Sequence, residues 1–136
     1  MSNSNWLLHG AADIHDDWDG EDLFAEVHFI INVAGGAPAD VVTLHLNVYY
    51  KGEGDVATKT QEVILPVTVD ADAQWTQFDA HFTIVHDEAG NVVDIGDIMS
   101  FVLNLDTGTS DVATITVEAM EFYYHTTHLG IELLDA

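Results

Sequence analysis

The stretch HDDWDGEDLFAE, from His15 to Glu26, holds the acids, the glycine and much of the spacing of a calcium loop. An EF-hand-type loop places oxygen ligands at positions 1, 3 and 5, glycine at 6 and a bidentate glutamate at 12, because Ca²⁺ gathers about 6 to 8 oxygens around a sharp turn. With Gly20 at position 6, Asp17, Asp19 and Glu26 fall on ligand positions, but position 1 is His15, a nitrogen donor, and no helical pattern follows. Glu26 lies inside an alternating run, on the side away from its apolar neighbours. The stretch reads as an acidic loop entering a strand, and Asp17, Asp19 and Glu26 are the residues a calcium site here would use.

A second pair, His125 and His128 in YYHTTHLG, has spacing that puts the rings on opposite faces of an extended strand, so it reads as two surface histidines near a strand end. Glu121 is the acid placed to join His125. His28, His45 and His81 all fall on the outward parity of their strands, where they could line one sheet surface and gain charge on acidification. Nucleophilic catalysis has little to work with: the chain has no Cys and no GxSxG, Ser100 sits mid-strand and Ser110 in a turn. GEG at 52–54 is a hairpin turn rather than a phosphate loop, since no GxxxxGK[ST] occurs. Carboxylates are so abundant that pairing any two for glycoside hydrolysis carries no information. The expectation is a non-enzyme without cofactor or metal. Aromatic side chains remain as contact groups: Tyr49 and Trp75 on outward parities, and Trp18 in the acidic loop.

The elements that carry these residues alternate with period two. In LFAEVHFIINV, Leu23, Ala25, Val27, Phe29, Ile31 and Val33 share one face; in DVVTLHLNVYY, Val42, Leu44, Leu46, Val48 and Tyr50 do, before the turn KGEGD. QEVILPVTV follows with Val63, Leu65, Val67 and Val69, and Pro66, which lacks an N–H, predicts an edge strand or a bulge. WTQFDAHFTIV turns Phe78, Ala80, Phe82 and Ile84 inward and leads to HDEAGN, which reads as a hairpin-like turn. IMSFVLNL alternates through Met99, Phe101, Leu103 and Leu105, and TGTSD turns the chain. The last strand, VATITVEAMEFYY, begins with Ile115, Val117 and Ala119 inward but carries Met120, Phe122 and Tyr124 on the opposite parity, which predicts a bulge near Ala119. With WLLH near the N-terminus this makes seven or eight strands in one domain, 1–136: an all-β, antiparallel, jelly-roll-like β-sandwich, with arms at 1–20 and 126–136.

Composition narrows the partners. A content of 48% hydrophobic residues suits a folded core, and no apolar run approaches the roughly 18 residues that span a bilayer. MSNSNWLLHG lacks the basic n-region of a signal peptide, so no export or membrane segment is expected. Against 24 Asp and Glu stand 2 Lys and Arg, for a formal net charge of -22, so internal pairing leaves most carboxylates to be balanced by solvent ions or by another molecule. Such a surface suits a salty medium or a cationic partner, while nucleic acid and anionic membranes are disfavoured for want of basic residues.

The order WTQFDAHFTI, a turn, GDIMSFVLNLD, a turn, then SDVATITVEAMEFYY resembles the β-sandwich proteins of tailed-virus particles, both head decoration (cement) proteins and tail-associated domains, over roughly residues 20 to 125. Those proteins often carry an Arg near the end of the Gly-Asp strand, where this chain reads NLD. The resemblance implies a noncatalytic virion protein on the capsid surface, made in the host cytoplasm, contacting the major capsid protein or another virion protein as a homo-oligomeric trimer or dimer. The acidic surface suits a halophilic host. HLGIELLDA, with Leu129, Ile131, Leu133 and Leu134, is the expected interface arm. The segment is also similar to carbohydrate-binding jelly-roll modules, in which a Trp like that of QWTQF precedes a strand, and a tail-associated adhesin domain is a related alternative.

Overall fold

A computed structural model describes residues 6–31, 40–69, 75–106, 109–111 and 115–127, with side chains from residue 10 onward. Seven strands lie within these residues: β1 (Trp6–Asp13), β2 (Leu23–Ile31), β3 (Val41–Lys51), β4 (Lys59–Thr68), β5 (Gln77–Ile84), β6 (Ile98–Leu105) and β7 (Ile115–Tyr123). They form a four-stranded sheet, β1-β6-β3-β4, and a three-stranded sheet, β5-β2-β7, and the pairings within each are antiparallel. The two sheets pack face to face as a sandwich. Consecutive strands alternate between sheets except β3 and β4, which form a hairpin, and this alternation is the jelly-roll-like winding.

The period-two pattern decides which side chains go inside. Along β2, burial alternates at every residue from Leu23 to Ile31, and Val42, Leu44, Leu46, Val48 and Tyr50 of β3 are all buried. Met99, Phe101, Leu103 and Leu105 of β6 complete the inner face of the larger sheet, opposite Ala80, Phe82 and Ile84 of β5. β4 is an edge strand, one of the two places Pro66 allows, because an N–H on the open side of an edge has no ladder partner to lose. β7 carries its bulge where the parity changes: His28 pairs with Ala119 and Phe29 with Val117, so Glu118 is the extra residue that brings Met120 and Phe122 back toward the core.

Two features stitch the layers together at one end. The buried Gln61 amide of β4 donates from Nε2 to the Tyr50 hydroxyl (2.9 Å) and to the Val85 carbonyl (2.6 Å), while its Oε1 accepts from Val85 N–H (3.1 Å), so β4 is tied to the end of β5 in the other sheet. The Tyr50 hydroxyl in turn donates to the Asn91 carbonyl. The segment HDEAGN, read from sequence as a hairpin turn, instead crosses from the smaller sheet to the larger, because β5 and β6 are not neighbours. The crossing turns at Gly90 within this segment and at Gly96 beyond it, with φ of +83° and +93°, values that side-chain-bearing residues adopt at a cost.

Candidate functional site

Register across the smaller sheet assembles a group that is scattered in sequence. Glu26 of β2 stands opposite His81 of β5 and Glu121 of β7; one row along, His28 stands opposite Asp79 and Ala119. Because residues two apart share a face, the segments Glu26-Val27-His28 and Asp79-Ala80-His81 run antiparallel with acid facing imidazole in both rows. His28 Nδ1 lies 2.5 Å from Asp79 Oδ1 and Nε2 lies 2.9 Å from Glu121 Oε1, so one ring joins all three strands. Glu26 Oε2 is 3.9 Å from His28 Nε2 and 3.7 Å from His81 Nε2.

Hydrogen bonds to Glu121 and to Asp79, reinforced by the charges of Asp79 and Glu26, outweigh desolvation and raise the His28 pKa to about 9. The same contact holds the Asp79 carboxyl below its ordinary range. His28 is therefore an imidazolium at neutral pH. A group whose pKa rises on folding stabilises the fold fully below its unfolded value and loses that contribution as pH rises through the folded value. The stability difference between the native chain and a His28→Gln variant is therefore expected to be largest below pH 6.5 and to shrink progressively towards pH 9. Thermal melts across that range check this; a difference that stays constant with pH would show that the ring acts by packing alone.

The same device recurs. On the outer face of the larger sheet, His45 of β3 contacts Glu62 Oε2 (3.2 Å) and Asp106 Oδ2 (3.1 Å). His86 Nδ1 lies 2.6 Å from Asp22 Oδ1; the hydrogen bond raises the imidazole's pKa and lowers the carboxyl's. In a chain with only two basic Lys or Arg side chains, the His28 and His86 imidazoles take over as internal cations. His28 and His81 share one sheet face while His45 lies on the other sheet, so the outward histidines do not form the single lined surface that strand parity allowed.

The end of the sandwich near the β3–β4 hairpin is different in kind. An open groove of about 670 Å³ runs beside Tyr49, Lys51, Glu53, Thr58, Ile98 and Ser100. Tyr49 pairs across the ladder with Ser100, and Lys51 with Ile98, which places an aromatic ring, an aliphatic side chain and one of the two basic residues on one patch. Ile95, Ile98, Val56 and Val92 are exposed at this end. The other base, Lys59, is engaged: Nζ lies 2.7 Å from Asp97 Oδ2 and 3.2 Å from Asp94 Oδ2.

Asp17, Asp19 and Glu26 take separate places. Asp19 Oδ1 accepts from Glu21 N–H (2.9 Å) and Asp17 Oδ1 accepts from the Tyr124 hydroxyl (3.3 Å), while Glu26 belongs to the β2 outer face beside His28. Gly20 does take the left-handed turn the spacing implies, with φ of +86°. Trp18, expected as an exposed contact residue, is a core residue at 8% exposure; its Nε1–H donates to the Glu21 carbonyl (3.0 Å), which lets an indole be buried without losing a hydrogen bond. Trp75 is exposed, but it precedes β5 in the smaller sheet and shares no face with Tyr49. His125 stacks edge-on against Phe24. His128 and the arm residues Leu129, Ile131, Leu133 and Leu134 lie outside the described residues. Compared with family models, curated proteins and solved structures, the chain matches none.

Proposed function

We propose that this chain is a noncatalytic structural protein that works by surface contact, as a decoration protein on the head of a tailed virus. The observation that carries the reading is the hairpin end of the sandwich: Tyr49, Ile95 and Ile98 are exposed beside Lys51, on a surface that is otherwise overwhelmingly anionic. Apolar side chains rimmed by charge are what a protein–protein contact uses, because burial of the former drives association while the latter set orientation. The remaining charge is screened by salt, which suits a particle from a saline habitat. Several weak contacts of this size gain strength when the subunit is a trimer or dimer on a symmetric shell.

Sedimentation of the purified chain, alone and with capsids stripped of it, is the test. Oligomers or capsid attachment are expected, and Ile98→Asp should weaken either by about tenfold or more, since a carboxylate replaces an apolar contact within an acidic surface. Removing residues 129–136 should also weaken it. A monomer indifferent to capsids would reject the reading.

A second reading, a carbohydrate-binding module, is favoured by the groove itself, where Tyr49 offers an aromatic face with Ser100 and Glu53 beside it. Titration with soluble glycans distinguishes them: saturable binding lost on Tyr49→Ala, or on Trp75→Ala, would support the sugar reading.

A further inference from the structure

The geometry points to a divalent transition-metal site on the outer face of the smaller sheet, with Glu26, His28 and Asp79 as ligands and Glu121 as the support of the histidine. One ligand atom from each of Glu26, His28 and Asp79 lies within 4.8 Å of the other two; at N and O bond lengths of about 2.0–2.2 Å two ligands of one ion stand at most about 4.4 Å apart, so binding draws these side chains slightly together. Mixed imidazole and carboxylate donors suit Zn²⁺, Ni²⁺ or Co²⁺ better than Ca²⁺, which prefers oxygen throughout.

The two nitrogens of His28 divide the work. Nδ1 faces Asp79, and Nε2 faces Glu121 at 2.9 Å. Glu26 Oε2 lies 3.9 Å from Nε2. Whichever nitrogen takes the ion, the other keeps its N–H for the carboxylate facing it, the carboxylate–histidine–metal arrangement that fixes ring orientation and raises ligand basicity. His81, with Nε2 3.7 Å from Glu26 Oε2, is a further nitrogen donor at the rim. At His45 the two carboxylates come from β4 and from beyond β6, one on each ring nitrogen. Charge supplies the driving force. Glu26, Asp79 and Glu121 surround one imidazolium, leaving the node anionic within an anionic molecule that concentrates cations near its surface.

A transition-metal ion bonds to the imidazole, whereas calcium or magnesium gathered diffusely by the carboxylates is indifferent to it. The experiment is calorimetric titration of the full chain with Zn²⁺ at neutral pH, in about 0.5 M NaCl to screen the diffuse ion atmosphere. One saturable ion is expected, and Co²⁺ should give d–d absorption bands that shift on binding. His28→Gln should weaken Zn²⁺ by about tenfold or more. Glu26→Gln provides the discriminating variant. At 3.9 Å Glu26 is beyond hydrogen-bond range of His28, so its loss leaves the cross-strand bridge intact; affinity should still fall by about tenfold. Unchanged affinity in both variants, or equal competition by Mg²⁺, would overturn the site and leave the cluster as an ionic staple only.

Discussion

Replacing Phe101 with alanine is expected to lower the unfolding free energy by about 3–5 kcal/mol, a large share of the roughly 5–15 kcal/mol that holds a domain of this size together. Phe101 is 2% exposed and lies on β6, flanked in register by Gly10 of β1 and Val48 of β3. Its ring reaches across the layers to Phe122 of β7, with centroids 5.2 Å apart. The cost depends on how far the surroundings can collapse into the space, and here the neighbour on one side is a glycine with no side chain to move in. Gly10 itself is already approached by the Met120 methyl, which would sit 3.4 Å from a Cβ at that position. Urea unfolding followed by tryptophan fluorescence measures the loss. Val56→Ala, at a residue 95% exposed, should fall within about 0.5 kcal/mol of the native chain. Equal effects at the two positions would contradict the packing.

Asp97→Ala should cost about 2–4 kcal/mol and should loosen the hairpin end as well. The Asp97 side chain is 1% exposed; its Oδ2 accepts from Lys59 Nζ at 2.7 Å and from Asp94 N–H at 2.9 Å. Burial works against the charge on Lys59, but its hydrogen bonds to Asp97 and Asp94 outweigh that and hold its pKa above the ordinary value. Without Asp97 the ammonium keeps, among the described residues, the exposed Asp94 carboxylate, the Val92 carbonyl and the face of Tyr50, so a largely buried cation loses its best partner. Asp97→Asn should be milder, since its amide oxygen still accepts from Asp94 N–H although it cannot neutralise Lys59. The turn at 94–97 carries Ile95 and leads into Ile98, so capsid or self-association should weaken together with stability. Chemical denaturation beside sedimentation reads both; full stability in Asp97→Ala would mean that Lys59 finds another acid at no cost.

The strand interiors were legible residue by residue. LFAEVHFII predicts alternate burial and obtains it along the whole of β2, and Pro66 marks an edge that is an edge. The parity change in VATITVEAMEFYY predicts a bulge, found at Glu118 next to Ala119. These are consequences of the pleat, which sends successive side chains to opposite faces wherever the strand lies. HDEAGN was legible only as a turn. A turn's residues set its backbone shape but not whether the strands on either side become neighbours, and here they enter different sheets.

The sites divide along the same line. Sequence spacing relates residues that are close along the chain, so it offered Asp17, Asp19 and Glu26 as a set, whereas Glu26 sits with His28 and Asp79 because β2 pairs with β5 in that register. The alternating acid and histidine in Glu26-Val27-His28 and Asp79-Ala80-His81 was the available signal, but it has meaning only once the two segments lie antiparallel and in step. Trp18 shows the converse: an acidic neighbourhood suggested exposure, and a single indole hydrogen bond to Glu21 allowed burial. Local chemistry thus established an all-β chain, its inward and outward residues and its uncompensated anionic surface, since each follows from side-chain type and a two-residue repeat. Strand partners, sheet membership and the meeting of Glu26, His28 and Asp79 came from long-range pairing, where hydrogen-bond register and packing between distant segments choose among arrangements that the repeat leaves equivalent.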